Sequence, residues 1–206
     1  MKRALLLAPL LLGGCISLLP KPPPPPQTFV LEAQNVEPAS GPPVDAVIAV
    51  AQPTGERSIL GADVIWRTGD QIAFVDQMQW SNRAELSLQS MLVETLTRQG
   101  RFTAATPTGE ARAEYEIRWN VLDFEVREDT MQARFVADVN VVQSPGRRII
   151  AHETVSAEAP VAGRSQTQAA QALARAAREG SARIGMFAAD AAAQAEAAQA
   201  AEVSRR

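Results

Sequence analysis

Very few residues in this chain carry a thiol or an imidazole, the groups that serve most readily as nucleophile, transition-metal ligand or proton carrier at neutral pH. Cys15 is the only cysteine and His152 is the only histidine. A single cysteine excludes a disulfide within the chain, and one cysteine with one histidine is poor support for a transition-metal site. Cys15 is therefore the strongest candidate for chemistry, as the acceptor of a covalent modification.

The residues before Cys15 indicate which modification this is. A positive start at residues 2–3 precedes an apolar segment at residues 4–12, and Leu12-Gly13-Gly14-Cys15 follows. The apolar segment is shorter than the roughly 20 residues that span a bilayer, and it fits a secretory signal. Leu-Gly-Gly-Cys resembles the bacterial lipobox, whose cysteine receives a diacylglycerol before the signal is cut and the new amine is acylated. A buried free cysteine behind an ordinary signal is the alternative.

A lipid anchor at Cys15 would make residues 1–14 a signal peptide and leave a tethered periplasmic chain. Several acyl chains, each contributing about 0.8 kcal/mol per buried CH2, hold such an anchor stably. Ile16, rather than aspartate, follows the cysteine. By the sorting rule of well-studied lipoproteins this favours the periplasmic face of the outer membrane over the inner membrane.

A proline-rich stretch separates Cys15 from the rest of the chain. Residues 15–26 are predicted to be the lipidated N-terminus followed by a stiff spacer, since Pro20-Lys21 and Pro22 to Pro26 favour the polyproline II conformation. At about 3.1 Å per residue, the proline stretch spans roughly 20 Å. A ligand for a proline-reading domain is the alternative interpretation.

Composition and charge limit the remaining classes. The 206 residues carry a net charge of −3, which becomes −5 once Lys2 and Arg3 leave with the signal, so no basic field attracts nucleic acid. No later segment has about 18 uninterrupted apolar residues, which leaves the lipid as the evident membrane attachment. The length predicts one domain at residues 27–190 and a tail at residues 191–206.

Two helices are predicted from periodicity and end signals. Residues 81–99 have Ser81 as a candidate N-cap and Gly100 just past the end. The apolar stripe of this helix consists of Leu88, Met91, Leu92, Thr95 and Leu96. A second helix begins at Ser165 and ends at about Asp190. The Ala/Gln/Glu-rich tail favours a solvated, fraying helical end, with a coiled contact to a partner as the alternative.

Strands are predicted between and around these helices. A hairpin with its turn at Gly69 joins residues 59–66 to residues 71–75, and three further strands alternate apolar and polar side chains. The apolar phase shifts after Val121, which a β-bulge would explain. One packed face and one wet face predict an antiparallel sheet in an α+β domain. The predicted strand ranges are 28–33, 45–50, 59–66, 71–75, a short strand from 102, 115–126, 131–141 and 148–155.

The sequence contains no catalytic motif such as a nucleophile elbow, a phosphate loop or a dinucleotide glycine pattern. We therefore predict no enzyme activity, no catalytic residue, no metal site and no cofactor beyond the lipid on Cys15. The carboxylates Glu114, Glu116, Asp138 and Glu153 lie on predicted polar strand faces. Trp66, Trp80 and Trp119 are most simply packing residues. Exposure of Trp66 or Trp80 would instead indicate a partner surface.

Several segments resemble a known family. Residues 60–69, which end in Arg67-Thr68-Gly69, are similar to a segment ending in R-T-G in the auxiliary lipoproteins of ABC-type transport systems, which include the PqiC-like proteins. Residues 74–80 resemble an aromatic-rich stretch ending in R-W in that family, with Gln79 in place of the arginine. Residues 92–96 and Gly100-Arg101-Phe102 resemble the family's helix and its G-R-F exit.

The resemblance implies a sheet flanked by two helices in roughly β-α-β-β-β-α order. It also implies partners: an ABC permease, its ATPase and a substrate-carrying protein of the Mce type, which together move lipids between the inner and outer membranes. The chain would be a non-enzymatic accessory subunit, with Trp66, Arg67 and Trp80 as candidate contacts and with oligomers of the chain left open. The alternatives are a periplasmic lipid-binding carrier, an envelope assembly scaffold and an envelope hydrolase.

Overall fold

The structure, a computed structural model, describes residues 25–144 and 146–205. Cys15, the predicted signal peptide and most of the proline-rich spacer lie outside the described residues. Eleven elements follow one another within the described ranges. In chain order they are β1 (Gln27–Phe29), β2 (Val44–Val50), β3 (Thr54–Gly55), β4 (Asp63–Thr68), β5 (Gln71–Trp80), α1 (Ala84–Gln99), β6 (Phe102–Pro107), β7 (Tyr115–Arg127), β8 (Gln132–Gln143), β9 (Arg148–Pro160) and α2 (Gln166–Val203).

The α+β class with two helices is confirmed, but the sheet is mixed rather than wholly antiparallel. The long strand β7 pairs antiparallel with β8 along its whole length, and β8 pairs antiparallel with β9. On its other edge β7 meets β2, β3 and β4 in succession, each in parallel. Alternating burial predicts which face a side chain takes but not the direction of the neighbouring strand, so these parallel pairs could not be predicted.

The bulge predicted near Val121 is confirmed. The register of β7 against β8 shifts between Val121 and Asp123, which places one extra residue in β7. The shift keeps apolar side chains on the packed face on both sides of the bulge, since Val121 and Phe124 are both buried. On the opposite face, which we call the open face, the same strand carries polar and charged side chains.

Helix α1 begins later than predicted, and Ser81 is not its N-cap. Arg83 occupies the cap position without a side-chain hydrogen bond. Two loop carbonyls accept from the first helical N–H groups instead: Gly61 from Ala84 at 2.8 Å and Leu60 from Glu85 at 3.4 Å. The predicted end is confirmed, since Gly100 adopts φ 70° and its N–H bonds to the carbonyl of Leu96.

Helix α2 begins where predicted and continues well beyond Asp190. Ser165 caps it by accepting a hydrogen bond from the backbone N–H of Gln168. The helix runs to Val203, and Ala192 in its extension is still buried. Its packing against the sheet requires glycine at position 180, because a Cβ there would lie 2.3 Å from a ring carbon of Phe135.

The Gly100-Arg101-Phe102 segment serves the fold. Arg101 is buried, and its guanidinium donates to the carbonyls of Ser40 and Pro42 and to Asp190 of α2. Gly41 has φ 122°, and a Cβ there would lie 2.6 Å from the Arg101 guanidinium. Arg101 therefore ties the loop before β2 to the second helix.

Candidate partner-binding site

The candidate site is built on the hairpin of β4 and β5. Its turn lies at Gly69, as predicted, where φ is 57° and an added Cβ would meet only open space. Arg67 pairs with Ile72 and Ile65 pairs with Phe74, so these four side chains share one face of the hairpin. Arg67 also pairs with Arg127 of β7, which places that face on the open side of the sheet.

Arg67 lies in β4 and is held by a buried carboxylate, whereas the sequence placed it in the turn between the strands predicted at residues 59–66 and 71–75. Its Nε donates to Oε1 of Glu125 at 2.7 Å, and Glu125 is fully buried. The hydrogen bond that Arg67 donates to Glu125, together with the negative charge of Glu125, raises the pKa of the Arg67 guanidinium above its ordinary value. This buried pairing follows from the bulge, because Glu125 would otherwise occupy a position on the packed face.

Further ion pairs extend from Glu125 across the open face. The Nε of Arg127 lies 2.7 Å from the same Glu125 oxygen, although its N–H does not point at that oxygen. Arg134 lies 3.0 Å from Asp123 and 3.8 Å from Glu158. The arginines of this network are partly exposed, so the open face presents charges in fixed positions.

Glu128 connects the turn end of the hairpin to the rest of the fold. Its backbone N–H donates to the carbonyl of Arg67, its carboxylate accepts from the hydroxyl of Thr68, and Arg164 donates to it at 2.7 Å. The hydrogen bond from the Thr68 hydroxyl lowers the pKa of Glu128 below its ordinary value, and the positive charge of Arg164 adds a smaller effect in the same direction. The hairpin is thus fixed to the β7–β8 turn and to the segment before α2.

Two of the predicted contact residues do not form an exposed surface. Trp80 is only 3% exposed and stacks on Phe124 with ring centroids 5.7 Å apart, so it is a core residue. Trp66 is half-buried and packs against the core, together with Val75. The predicted cluster of Trp66, Arg67 and Trp80 therefore offers partners only the exposed part of the Arg67 side chain and the edge of Trp66.

Sequence reasoning missed the apolar side chains that the hairpin does expose. Ile72 is 41% exposed and Phe74 is 55% exposed, on the face that also carries Arg67. Residues 72–75 are Ile-Ala-Phe-Val, in which no polar residue alternates with the apolar ones. This lack of alternation was the only sequence signal for the exposed apolar side chains. That pattern is typical of a strand covered on both faces, whereas here Ile72 and Phe74 are exposed even though Ile65 on the same face is buried.

A second cluster of titratable side chains lies in a cleft farther along the open face. His152 lines a cleft of about 520 Å³ with Glu116 and Asp138. Arg118 neutralises Glu116, and Thr154 donates to Asp138. Within residues 25–144 and 146–205, no group of three or more His, Cys, Asp or Glu side chains could hold a metal ion. Among the same residues, no helix has the length and apolar character needed to cross a membrane.

Comparison with known proteins decides the family. A model of the ABC-type transport auxiliary lipoprotein component matches residues 29–185. The chain belongs to this family. The match runs from the end of β1 into α2, so the hairpin and the open face of this auxiliary lipoprotein lie inside it.

Solved structures agree on the fold of this auxiliary lipoprotein. A crystal structure of a DUF330 protein from Xanthomonas campestris covers 82% of the chain and 99% of its own length, with 18% identity and a TM-score of 0.76. The crystal structure of a second, uncharacterized protein covers 79% of the chain and 97% of its own length, with 14% identity and a TM-score of 0.63. The search of curated proteins found no match. Family membership gives the chain an accessory role in transport.

Proposed function

We propose that this auxiliary lipoprotein is a non-enzymatic connector in an ABC-type system that moves lipids between the inner and outer membranes. It acts without a cofactor, anchored through Cys15 to the periplasmic face of the outer membrane. Its partners are an Mce-type substrate-binding protein and, through it, the permease and ATPase. The observation that carries this proposal is the family match over residues 29–185.

The open face supports a role in protein contacts. Its arginines are oriented by nearby carboxylates: Asp123 on the neighbouring strand orients Arg134, and Glu116 on the same strand orients Arg118. Charges held in fixed positions favour specific recognition of a partner with complementary charge. The contact surface is therefore expected on the open face rather than at Trp80, which the core covers.

Anchoring is tested by replacing Cys15 with alanine. The thiol is the only acceptor for the diacylglycerol, so the variant should lose its lipid and accumulate as uncleaved or mislocalised precursor. Mass spectrometry of the mature N-terminus and membrane fractionation give the readout. Normal processing and normal membrane association of Cys15→Ala would contradict the lipobox assignment.

Membership of one transport system is tested by genetics in the native host. Loss of this chain and loss of the system's ATPase should each cause an envelope permeability defect. If the chain works through that system, the double deletion should be no worse than the ATPase deletion alone. A double deletion with the sum of both defects would place the chain outside the system.

A further inference from the structure

The hairpin projects an apolar pair that no described residue covers. Ile72 and Phe74 are two residues apart on β5 and therefore point to the same side, where they are 41% and 55% exposed. The other large exposed apolar residues of the described chain are isolated from one another. They are Val30 just past β1, Leu86 on α1, Leu122 on β7, Ile149 on β9, and Met186 and Val203 on α2. Single exposed apolar residues are ordinary, whereas exposed apolar residues that adjoin one another on one face are typical of contact surfaces.

Strand direction places the N-terminal chain at the same end of the molecule. β1 runs parallel to β5, with Gln27 beside Met78 and Phe29 beside Trp80. Since β5 starts at the hairpin turn, the chain before Gln27 comes from the side of that turn. Eleven residues lie between Cys15 and Gln27, and the twelve Cα–Cα steps that join them can span at most about 40 Å. A lipid on Cys15 would therefore tether the hairpin end to the membrane.

The direction of the other elements is consistent with this orientation. β9 ends at Pro160 and α2 begins at Gln166 beside the hairpin, where Gln166 donates to the carbonyl of Asp76. Helix α2 then runs away from the hairpin for 38 residues, or roughly 57 Å. An anchored chain with its hairpin toward the membrane would direct the far end of α2 into the periplasm.

We propose that Ile72 and Phe74 insert into the interface of the membrane to which Cys15 anchors the chain. This inference rests on the proposed anchoring and adds an orientation to it. Glu125 neutralises Arg67 on the face of the pair, so Asp70 and Asp76 set the local charge. They favour a lipid surface of low net charge, because an anionic surface would repel them. Insertion at the hairpin end leaves the opposite end of the sheet and the end of α2 accessible to the transport partners.

The test measures the depth of position 74 in the lipidated full chain. The Phe74→Trp variant is reconstituted into vesicles made mainly of phosphatidylethanolamine, with or without bromine on the acyl chains. The signal of position 74 is the fluorescence of this variant minus that of the parent protein. We expect brominated lipid to quench at least half of that difference. The matched control is Ile149→Trp, because Ile149 is 59% exposed on β9 at the opposite end of the sheet. Its added fluorescence should not change.

Two outcomes would overturn the inference. Equal quenching of both variants would mean that the domain lies on the membrane without a preferred face. The absence of quenching at position 74, with protection of that position by the purified Mce-type partner, would assign the pair to a protein contact. Lipid on Cys15 and partner binding are measured on the same preparations, so failure of the orientation is distinguished from failure of the proposed function.

A second variant tests the pair without adding a tryptophan. Ile72→Ser with Phe74→Ser changes only exposed positions and should leave the melting temperature within a few degrees of the parent. The double variant should raise the accessibility of Gln71 and Ala73 to hydrogen exchange in vesicles several-fold. Unchanged protection of these two residues in the double variant would contradict insertion of the hairpin.

Discussion

Replacing Leu92 with aspartate is expected to cost more than about 4 kcal/mol of folding free energy, because it buries an unpaired charge. Leu92 is fully buried in the stripe of α1 that faces the sheet and α2. For a domain of this size, each kcal/mol lowers the melting temperature by about 2–4 °C. Thermal unfolding followed by circular dichroism should therefore show a fall of more than about 10 °C, or no folded protein.

Leu86 supplies the matched control for this substitution. It lies on the same helix but is 37% exposed, close to the N-terminus of α1. Leu86→Asp should change stability by less than about 1 kcal/mol, since an acidic side chain in the first turn interacts favourably with the helix dipole. An unchanged melting temperature of Leu92→Asp would show that the stripe of α1 does not face the core.

Replacing Arg67 with glutamate is the second large expected effect. The change removes the donor 2.7 Å from the buried Glu125 and places a second carboxylate beside it. Breaking a buried ion pair by removing one partner costs about 3–5 kcal/mol. The 25% exposure of Arg67 and the proximity of Arg127 favour the lower end of this range. Denaturant unfolding should show the loss as a lower midpoint.

Two further variants distinguish the effect of burial on stability from the effect of the charge change. Arg67→Met keeps much of the side-chain volume and should cost less than Arg67→Glu, because it adds no repulsion. Arg118→Glu changes an arginine that is 42% exposed and paired only at the surface, and should cost about 1 kcal/mol or less. Equal stability of Arg67→Glu and the parent would contradict the buried pairing. A loss of partner binding by Arg67→Glu reports damage to the fold, not a lost contact.

Features set by neighbouring residues could be predicted from the sequence. The stripe of α1 and Gly100 follow from helical periodicity and from the left-handed conformation that glycine adopts. Ser165 caps α2 through a residue three positions away, and the bulge after Val121 is visible as a change of phase. The hairpin turn at Gly69 is likewise set by residues next to it in the chain.

Features set by residues far apart in the chain could not be predicted from the sequence. The N–H groups at the start of α1 bond to Gly61 and Leu60, so no capping side chain was needed at Ser81. Arg67 finds Glu125, 58 residues away, across a parallel strand pair that alternation does not reveal. These long-range contacts also decide the site, since they bury the Arg67 pairing and leave Ile72 and Phe74 exposed.

The central claim is that this chain connects partners and does not carry lipid itself. The most direct measurement combines binding and lipid content of the soluble chain from Gln27 onward. It should bind the purified periplasmic part of its Mce-type partner saturably in biolayer interferometry. Mass spectrometry of extracted lipid should find far less than one lipid per chain. Stoichiometric lipid in the purified domain, together with no binding to the partner, would contradict the account and identify a lipid carrier.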